Sequence, residues 1–305
     1  MSAQSDKINL IYILSSGRSG STILDMLLGS CTDLWTTGEL MMLDYELKNE
    51  HLPCGCGIII PDCDFWGSIV TRIQLEDNTL LEKCAVFRNE YGGGKLIRWN
   101  YIREIFSKKT SETFKSNARS YGKKNKQLIR MINEKANSIK NVKYIVDSSK
   151  DLYRLFSLHS SGLFNIKVIH LLKSPQAFAY SMTKPELKIS KTVRTSMRWT
   201  VENYLVQKMV KNHIPANNYC IIKYEELAKQ PEETLLYLQK KLDLDTELKP
   251  NSDLGTTQSH GIAGNIARFN TQQIKVDTAY LTGLKWSQKK LVNLISSPIR
   301  KKYGF

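Results

Sequence analysis

The residues best suited to chemistry in this chain begin with a short loop, Ser15 to Thr22, of sequence SSGRSGST. The loop lies between the apolar run Ile8 to Leu14 and the segment ILDMLLG, whose apolar residues have helical spacing. Glycines allow backbone N–H groups to turn inward, and the N-terminus of a helix favours an anion. The loop therefore predicts a phosphate site whose donors are N–H groups and hydroxyls between Gly17 and Thr22.

The loop differs from a Walker nucleotide triphosphate loop, G-x-x-x-x-G-K-[ST], in the position of its cation. No lysine follows Gly20, and the basic residue is Arg18, inside the turn. Such a loop can still hold a 5′-phosphate, with Arg18 directed at the bond between that phosphate and its leaving group. A Gly-Ser turn that leads into a helix is also a common structural element, so the loop alone leaves the function open.

Four short apolar runs predict the strands that must position this loop: Ile8 to Leu14, Tyr144 to Val146, Lys167 to Leu172, and Tyr219 to Lys223. Continuous rather than alternating apolarity is typical of strands that are covered on both faces, as in a parallel sheet. A helical pattern follows each run. The sequence therefore predicts an α/β protein with a P-loop-like, doubly wound parallel sheet, helices on its faces and ligands at the carboxyl ends of its strands.

The helices carry recognisable start and stop signals. Ser21 or Thr22 is predicted to cap the first helix, which ends at Gly29, and Pro175 is predicted in the first turn of a later helix. After the last strand, apolar residues from Leu235 to Leu242 recur at helical spacing. These signals agree with strands and helices in alternation.

Composition narrows the class of partner. The 305 residues are enough for one α/β domain, and 44 Lys+Arg against 29 Asp+Glu give a formal charge of +15, which favours anionic ligands. Most of the excess lies between Lys95 and Lys143 among Ser, Asn and Gly rather than base-stacking aromatics, so we expect no nucleic-acid partner. With no signal-peptide pattern and no apolar run near the roughly 18 residues of a membrane span, we expect a cytoplasmic protein without a membrane partner.

The cysteines form one cluster in the sequence. We expect free thiols in an intracellular chain of this size. The segment HLPCGCGIIIPDCDFW offers four possible zinc ligands, His51, Cys54, Cys56 and Cys63. Because the spacing differs from paired C-x2-C knuckles, we favour a glycine-turned structural loop over a zinc site and predict no metal ligand.

Two motifs resemble those of one enzyme family. GRSGST resembles the first signature, [PS]-[KR]-S-G-[ST]-[ST], of sulfotransferases that use 3′-phosphoadenosine 5′-phosphosulfate (PAPS), with Arg18 at the cationic position. VIHLLKSPQAFAYS resembles the second signature, R-[DN]-P-x5-S, with Lys173 in the arginine position and Ser181 eight residues on. Lysine is a point charge and lacks the bidentate fork of arginine. The resemblance implies that Lys173 and Ser181 hold the 3′-phosphate.

Further segments resemble the family in the expected order, from about Ile8 to Phe269. YIVDSSKD places Lys150 near the transferred group, as in the tyrosylprotein branch, and IIKYEELAKQPEETL places Tyr224 near the adenosine. SHGIAGNIARF resembles the loop that closes over the nucleotide, with Arg268 as a further phosphate partner. The pattern CGCG…CDFW also recurs among bacterial small-molecule members.

The resemblance implies a sulfotransferase fold in a single domain, residues 1–305. Residues 32–141 are then a mainly helical, lysine-rich insertion that shapes the acceptor pocket. The implied co-substrate is PAPS, and the residues predicted to bind it are Ser16, Gly17, Arg18, Ser19, Gly20, Ser21, Thr22, Lys173, Ser181, Tyr224 and Arg268.

Sulfuryl transfer proceeds through a loose, in-line transition state, by analogy with phosphoryl transfer. Arg18 and Lys150 are predicted to neutralise the charge on the bridging oxygen, and without an Asp-rich cradle we predict no metal in the reaction. Glu39, in LWTTGELMML, occupies the place of the tyrosylprotein branch's glutamate base; His260 is the alternative, because cytosolic branches use a histidine. His170, in the middle of a strand, is interpreted as a packing residue.

Three functions remain open from the sequence. The first is transfer of the sulfuryl group from PAPS to a hydroxyl or amine of a small molecule, with secondary metabolites preferred. The second is a P-loop-type small-molecule kinase that uses ATP and magnesium, disfavoured by the missing Walker lysine. The third is a basic protein that binds polyanions without turnover. Oligomeric state is not predicted.

Overall fold

The structure is a computed structural model, and the residues it describes are 7–49, 53–85, 97–250, 259–265, 269, 274 and 276–305. These residues contain a five-stranded sheet with the order β2-β3-β1-β4-β5. Its strands are β1 (Ile8–Ser15), β2 (Leu34–Thr36), β3 (Tyr144–Lys150), β4 (Phe164–Leu172) and β5 (Tyr219–Lys223). Every pairing is parallel, so the predicted α/β class and parallel sheet are confirmed.

The sheet differs from the prediction at two strands. β3 extends past Val146 to Lys150, because its polar Asp147 is satisfied by the buried Arg154, with 2.8 Å between Oδ2 and Nη2. β2, Leu34–Thr36, was not predicted, since three residues are too few to show a pattern. It pairs with the outer side of β3. Burial of satisfied polar groups and edge pairing are tertiary effects that a local apolar pattern does not contain.

The sheet is covered by helices on both faces. Residues Leu10, Tyr12 and Leu14 of β1 belong to one buried cluster, and Ile11 and Ile13 of the same strand belong to another. All five are essentially inaccessible to solvent. The continuous apolar run in the sequence is thus explained by a central strand with two covered faces.

The helices are α1 (Ser21–Gly29), α2 (Leu43–Asn49), α3 (Trp66–Glu76), α4 (Leu80–Cys84), α5 (Trp99–Phe106), α6 (Glu112–Asn137), α7 (Leu152–Ser160), α8 (Pro175–Thr183), α9 (Ile189–His213), α10 (Tyr224–Lys229), α11 (Pro231–Leu242), α12 (Ala279–Gly283) and α13 (Trp286–Arg300). In the described part of the chain, no helix combines the length and the apolarity needed to cross a membrane.

The start of α1 corrects one prediction. Ser21 and Thr22 lie inside the first turn, and the capping position is Gly20, whose φ of 89° is left-handed and which has no side-chain cap. The prediction of a hydroxyl cap was therefore wrong, because the glycine itself turns the chain into the helix. The end at Gly29 is confirmed. So is the start of α8, where Pro175 is in the first turn and Ser174 accepts from the N–H of Ala177.

The segment 32–141 contains helices α2 to α6 together with the edge strand β2. The long helix α6 carries much of the lysine excess, and its buried side includes Leu128 and Ile129. Phe114 of α6 stacks on Phe156 of α7, with 4.9 Å between ring centroids. The role of this segment as an insertion, and the single domain over residues 1–305, stay predictions.

Candidate active site

The parallel sheet brings the candidate residues to one edge. Leu14 at the end of β1 is in register with Lys150 at the end of β3, and Ser15 is in register with Leu171 of β4. Lys173 follows β4 directly, and Tyr224 follows β5. Because parallel strands end on the same side, loops that are distant in sequence converge there.

The loop after β1 is shaped by left-handed backbone at two positions, Arg18 with φ 60° and Gly20 with φ 89°. A Cβ on Gly20 would lie 2.2 Å from the ring of Tyr224, so this position requires glycine for space as well as conformation. Since α1 has no side-chain cap, the N–H groups of Ser21 and Thr22 lack intrahelical partners. The loop and the start of the helix therefore present N–H donors that could hold an anion.

The other side chains of this loop differ in their exposure to solvent. Ser19 and Ser21 are buried, whereas the Arg18 side chain is exposed. The hydroxyl of Ser16 donates to the carboxylate of Glu202 on α9, at 2.6 Å. Glu202 was not predicted from the sequence, where it is one acidic residue of an amphipathic helix.

Glu39 and Lys150 form an ion pair. The ammonium Nζ of Lys150 donates to Oε1 of Glu39, and about a fifth of each side chain is exposed. Lys150 has a left-handed φ of 68° at the end of β3. The N–H of Glu39 donates to the carbonyl of Ile262, at 2.8 Å. Two predicted catalytic residues, 111 positions apart in sequence, are thus in direct contact.

A cavity of about 780 Å³ opens beside this ion pair. Ser16 and Gly17 line it, whereas Arg18 does not. Much of the remaining lining is apolar or cationic, and it includes Met41, Met42, Ile97, Arg98, Tyr153, Val193, Arg194, Met197, Val201 and Val206. The cavity therefore offers an amphipathic small molecule access to Glu39 and Lys150.

Lys173 is buried and already paired. Its Nζ lies 2.8 Å from Oδ2 of Asp277 and 5.0 Å from the ring centroid of Tyr224. Burial on its own would raise the pKa of Asp277, but the hydrogen bond from Lys173 and the attraction to it outweigh burial, and that pKa is lowered. An anion that binds Lys173 would therefore compete with the carboxylate of Asp277 for the same ammonium group.

Ser181 and Arg268 complete the predicted nucleotide residues. The hydroxyl oxygen of Ser181 on α8 is buried, and within the described residues it has no hydrogen-bond partner. A buried orphan of this kind is a position where a ligand oxygen fits. Arg268 lies outside the described residues.

The segment 259–265 lies against both Glu39 and α1. Ile262 donates through its N–H to the carbonyl of Thr37, at 2.8 Å, and its own carbonyl receives the N–H of Glu39. The N–H of Asn265 donates to the hydroxyl of Thr22, at 3.3 Å. This segment therefore connects the loop of the candidate base with the helix of the phosphate loop.

Sequence reasoning missed Asp25, which lies on α1 beside a small cavity also lined by Glu39, Lys150 and Gly261. Burial raises the pKa of Asp25 to about 7, against lowering contributions from Ser148 and Lys150. The only signal was an acidic residue within the apolar segment ILDMLLG.

The two histidines considered from the sequence lie in different surroundings. His260 does not line the 780 Å³ cavity; its ring stacks on Phe65, with 5.2 Å between centroids, and its Nδ1 lies 3.3 Å from Sγ of Cys63. His170 is buried, its Nδ1 lies 2.7 Å from the hydroxyl of Tyr219, and burial lowers its pKa to about 3. His170 thus packs within the sheet, although it also lines the cavity.

Comparison with known proteins identifies solved structures with a similar fold. No protein-family model matches the sequence, and no curated protein sequence matches it. Among solved structures, the sulfotransferase domain of the Synechococcus PCC 7002 olefin synthase is 18% identical, with 97% of this chain and 98% of that chain covered and a TM-score of 0.50. The sulfotransferase domain of the curacin biosynthetic pathway is 18% identical, with 95% and 98% covered and a TM-score of 0.49. A sulfotransferase from Alicyclobacillus acidocaldarius is 11% identical, with 95% and 96% covered and a TM-score of 0.41.

The first of these similarities extends over nearly the whole of both chains. With 18% identity it is a similarity of fold, and it confirms the sulfotransferase fold that the sequence predicts.

Proposed function

We propose that this protein is a sulfotransferase that moves the sulfuryl group of PAPS to a hydroxyl or amine of a small molecule. The observation that carries the proposal is the contact between Glu39 and Lys150 at the end of β3, beside the phosphate loop and at the wall of a 780 Å³ cavity. The chain places this constellation on a sulfotransferase fold.

The described residues fit the two phosphate groups of the donor. The N–H groups of Ser21 and Thr22 at the start of α1 are suited to the 5′-phosphate. Lys173 and the buried, unpartnered hydroxyl of Ser181 are the groups that we assign to the 3′-phosphate. Tyr224, whose ring lies against both Gly20 and Lys173, is assigned to the adenosine side.

PAPS supplies an activated sulfuryl group and a bisphosphate leaving group. Lys150 is positioned to neutralise the charge that develops at the transferred group, and we assign the same task to Arg18. Glu39 accepts the proton of the acceptor. In the described part of the chain only Oε1 of Glu39 has a partner, which leaves Oε2 for the acceptor proton.

No step of this proposal uses a metal, because we assign the neutralisation of charge at the transferred group to Arg18, Lys150 and backbone donors. The one cluster of potential metal ligands among the described residues consists of Cys54, Cys56, Cys63 and His260. None of the four lines the cavity beside Glu39. A metal at that cluster would be separate from the reacting atoms.

The acceptor that we propose is a secondary metabolite with an apolar body. The methionine, valine and tyrosine side chains of the cavity suit apolar surface, and Arg98 and Arg194 add positive charge at its wall. Neither a nucleic-acid nor a membrane partner is part of this proposal. A cytoplasmic location stays a prediction from the sequence.

The test is a sulfation screen with PAPS and an acceptor library, read by mass spectrometry. We expect a product heavier by one sulfuryl group that depends on PAPS and forms in the presence of EDTA. Phosphorylated product that depends on ATP and magnesium would instead establish the kinase alternative. Binding of polyanions without any turnover would overturn both enzymatic functions.

A further inference from the structure

Three cysteines and one histidine form a compact cluster outside the candidate active site. Cys54, Cys56 and Cys63 come from one loop, and His260 comes from a segment about 200 positions later. Their four ligand atoms, three Sγ and Nδ1 of His260, all lie within 4.8 Å of one another. His51, the fourth ligand considered from the sequence, lies outside the described residues.

The separations match the corners of a tetrahedron around a single ion. Bond lengths of about 2.3 Å for Zn–S and 2.0–2.1 Å for Zn–N place two sulfurs about 3.8 Å apart, and a sulfur and a nitrogen about 3.6 Å apart. Sγ of Cys63 lies 3.6 Å from that of Cys54 and 3.7 Å from that of Cys56. Nδ1 of His260 lies 3.3 Å and 3.6 Å from the sulfurs of Cys63 and Cys54.

A disulfide explains this cluster less completely than a bound metal does. It would join two sulfurs at about 2.05 Å and leave the third cysteine and the histidine unexplained. The structure has all three as free thiols. Four converging ligand atoms are what a metal requires.

We propose that Cys54, Cys56, Cys63 and Nδ1 of His260 bind one Zn²⁺ ion in a closed, structural site. Three thiolates and one imidazole are a common donor set of structural zinc, and four protein ligands leave no position for a substrate. Binding exchanges the protons of the thiols for metal–sulfur bonds and releases those protons to solvent, without oxidation or reduction. The site does not depend on the proposed function.

Backbone hydrogen bonds hold the loop that carries the three cysteines. The N–H of Cys54 donates to the carbonyl of Ile58, at 2.8 Å, and the N–H of Gly67 donates to the carbonyl of Cys63, at 2.7 Å. These bonds fix the backbone from which the sulfurs project toward one another. Cys54 and Cys63 are also buried, so the site is shielded from water.

The histidine is held in a comparable way. The indole N–H of Trp66 donates to the carbonyl of His260, at 2.6 Å. The imidazole is stacked on Phe65 and parallel to Trp35, with 5.9 Å between the centroids of His260 and Trp35. Its orientation is therefore fixed by packing before a metal arrives.

A metal here would join two distant segments. The N–H of Gly55 donates to the carbonyl of Gly261, at 3.0 Å, and Ile262 pairs with the backbone on either side of Gly38. A Cβ on Gly55 would lie 2.6 Å from the carbonyl of Ser259, so the two segments are in close backbone contact. Zinc would thus fix segment 259–265 against the loop that carries Glu39.

The test measures zinc in the full-length protein. The chain is incubated with ZnCl2, passed through a desalting column and analysed by inductively coupled plasma mass spectrometry. We expect one zinc per chain, released when a mercurial reagent blocks the thiols. His260→Ala and Cys56→Ser should lower zinc affinity by at least about tenfold. Cys84→Ser removes a buried thiol outside the cluster and is the matched control, expected to retain one zinc per chain.

Cobalt provides a second readout that requires no variant. With Co²⁺ in place of Zn²⁺, we expect thiolate-to-cobalt charge transfer and the intense visible bands of a tetrahedral site. Wild-type protein that retains no zinc after incubation, or variants that hold zinc as tightly as wild type, would overturn the proposal. Zinc binding without sulfation would reject only the proposed function, and sulfation by a chain that retains no zinc after incubation with ZnCl2 would reject only this site.

Discussion

The two sides of the candidate active site are built differently. The phosphate side is one continuous stretch, from the end of β1 through Gly20 into α1. The side of the candidate base is assembled from three segments, with Glu39 bonded to Lys150 of β3 and to Ile262 near the C-terminal part of the chain. A continuous loop depends on local backbone conformation, whereas an assembled site depends on contacts across the whole fold. Mutations should therefore affect the two sides in different ways.

The largest effect is expected at Glu39. Glu39→Gln should lower kcat by about a hundred- to ten-thousandfold, the range for loss of a general base, because the amide cannot take the proton of the acceptor. Affinity for adenosine 3′,5′-bisphosphate should stay nearly unchanged, since Glu39 is assigned to the acceptor rather than to either phosphate and glutamine has the same shape as glutamate. Steady-state kinetics and calorimetry separate the two quantities.

Glu76→Gln is the matched control, because among the described residues its carboxylate pairs with Arg72 on the surface of α3. Near-normal kcat in Glu39→Gln would show that Glu39 is not the base. An inactive His260→Ala that still binds nucleotide would transfer the role of base to the histidine only if Cys56→Ser, which also removes a proposed zinc ligand, stays active. Activity in both Glu39→Gln and His260→Ala would limit the assignment to Arg18 and Lys150. Arg18→Ala should reduce nucleotide affinity and turnover together.

On the phosphate side, adenosine 3′,5′-bisphosphate should bind at least about a hundredfold more tightly than adenosine 5′-phosphate. Two charge-assisted hydrogen bonds, from Lys173 and Ser181, are worth about 1.5 to 3 kcal/mol each. Lys173→Ala should remove most of this preference, whereas Lys115→Ala, which removes an exposed lysine paired with Glu112 on α6, should preserve it. Equal affinities of wild type for the two nucleotides, measured by calorimetry, would show that the 3′-phosphate site is wrongly assigned.

Two glycines test how strictly the continuous loop is specified. Gly20→Ala should destabilise the nucleotide-free chain by about 1–3 kcal/mol, because Gly20 is left-handed and a Cβ would meet Tyr224 at 2.2 Å. Gly17→Ala should change stability by less than about 0.5 kcal/mol, since a Cβ there has no atom within 4 Å. Urea denaturation of the two variants makes the comparison. Equal losses of stability in the two variants would contradict the expected difference between the two positions.

Asp25, which lies on α1 and shares a small cavity with Glu39 and Lys150 of the assembled side, should make stability depend on pH. Its pKa is raised by burial to about 7, from the ordinary 3.8 of an exposed aspartate, so the folded chain keeps a proton that the unfolded chain loses. Stability from this group is greatest below about pH 4 and falls as pH rises toward 7, by up to about 1.4 kcal/mol per unit. Asp25→Asn should flatten this dependence, as measured by urea denaturation between pH 4.5 and 7. An unchanged slope in Asp25→Asn would contradict the shift.

The sequence predicted the continuous side more fully than the assembled side. Gly17, Gly20 and the strand before them are close in sequence, so a local pattern contains most of their structure. The hydroxyl cap at Ser21 or Thr22 failed because one left-handed glycine turned the chain instead. The roles predicted for Glu39 and Lys150 rest on resemblance to a family, and their contact was not predicted, since no spacing relates residues 111 positions apart.

What remained unpredicted depends on long-range contacts. The edge strand β2 exists because β3 offers it a partner, and Asp25 has a raised pKa because folding buries its carboxyl group. His260 was weighed as a base, yet it faces three cysteines about 200 positions earlier. The pairing of β2, the burial of Asp25 and the surroundings of His260 exist only in the folded chain, and no local sequence pattern predicts them.

Under the proposed function, the ion pair between Lys173 and Asp277 would affect how the nucleotide binds and leaves. With Asp277 at 2.8 Å, Lys173 already has an internal counterion, so a 3′-phosphate at this position would exchange one anion for another rather than neutralise a bare cation. The net gain in binding free energy would be smaller than that of the contact alone, and the carboxylate would pair with the lysine again when the bisphosphate leaves. This arrangement would lower affinity for the donor and speed release of the product.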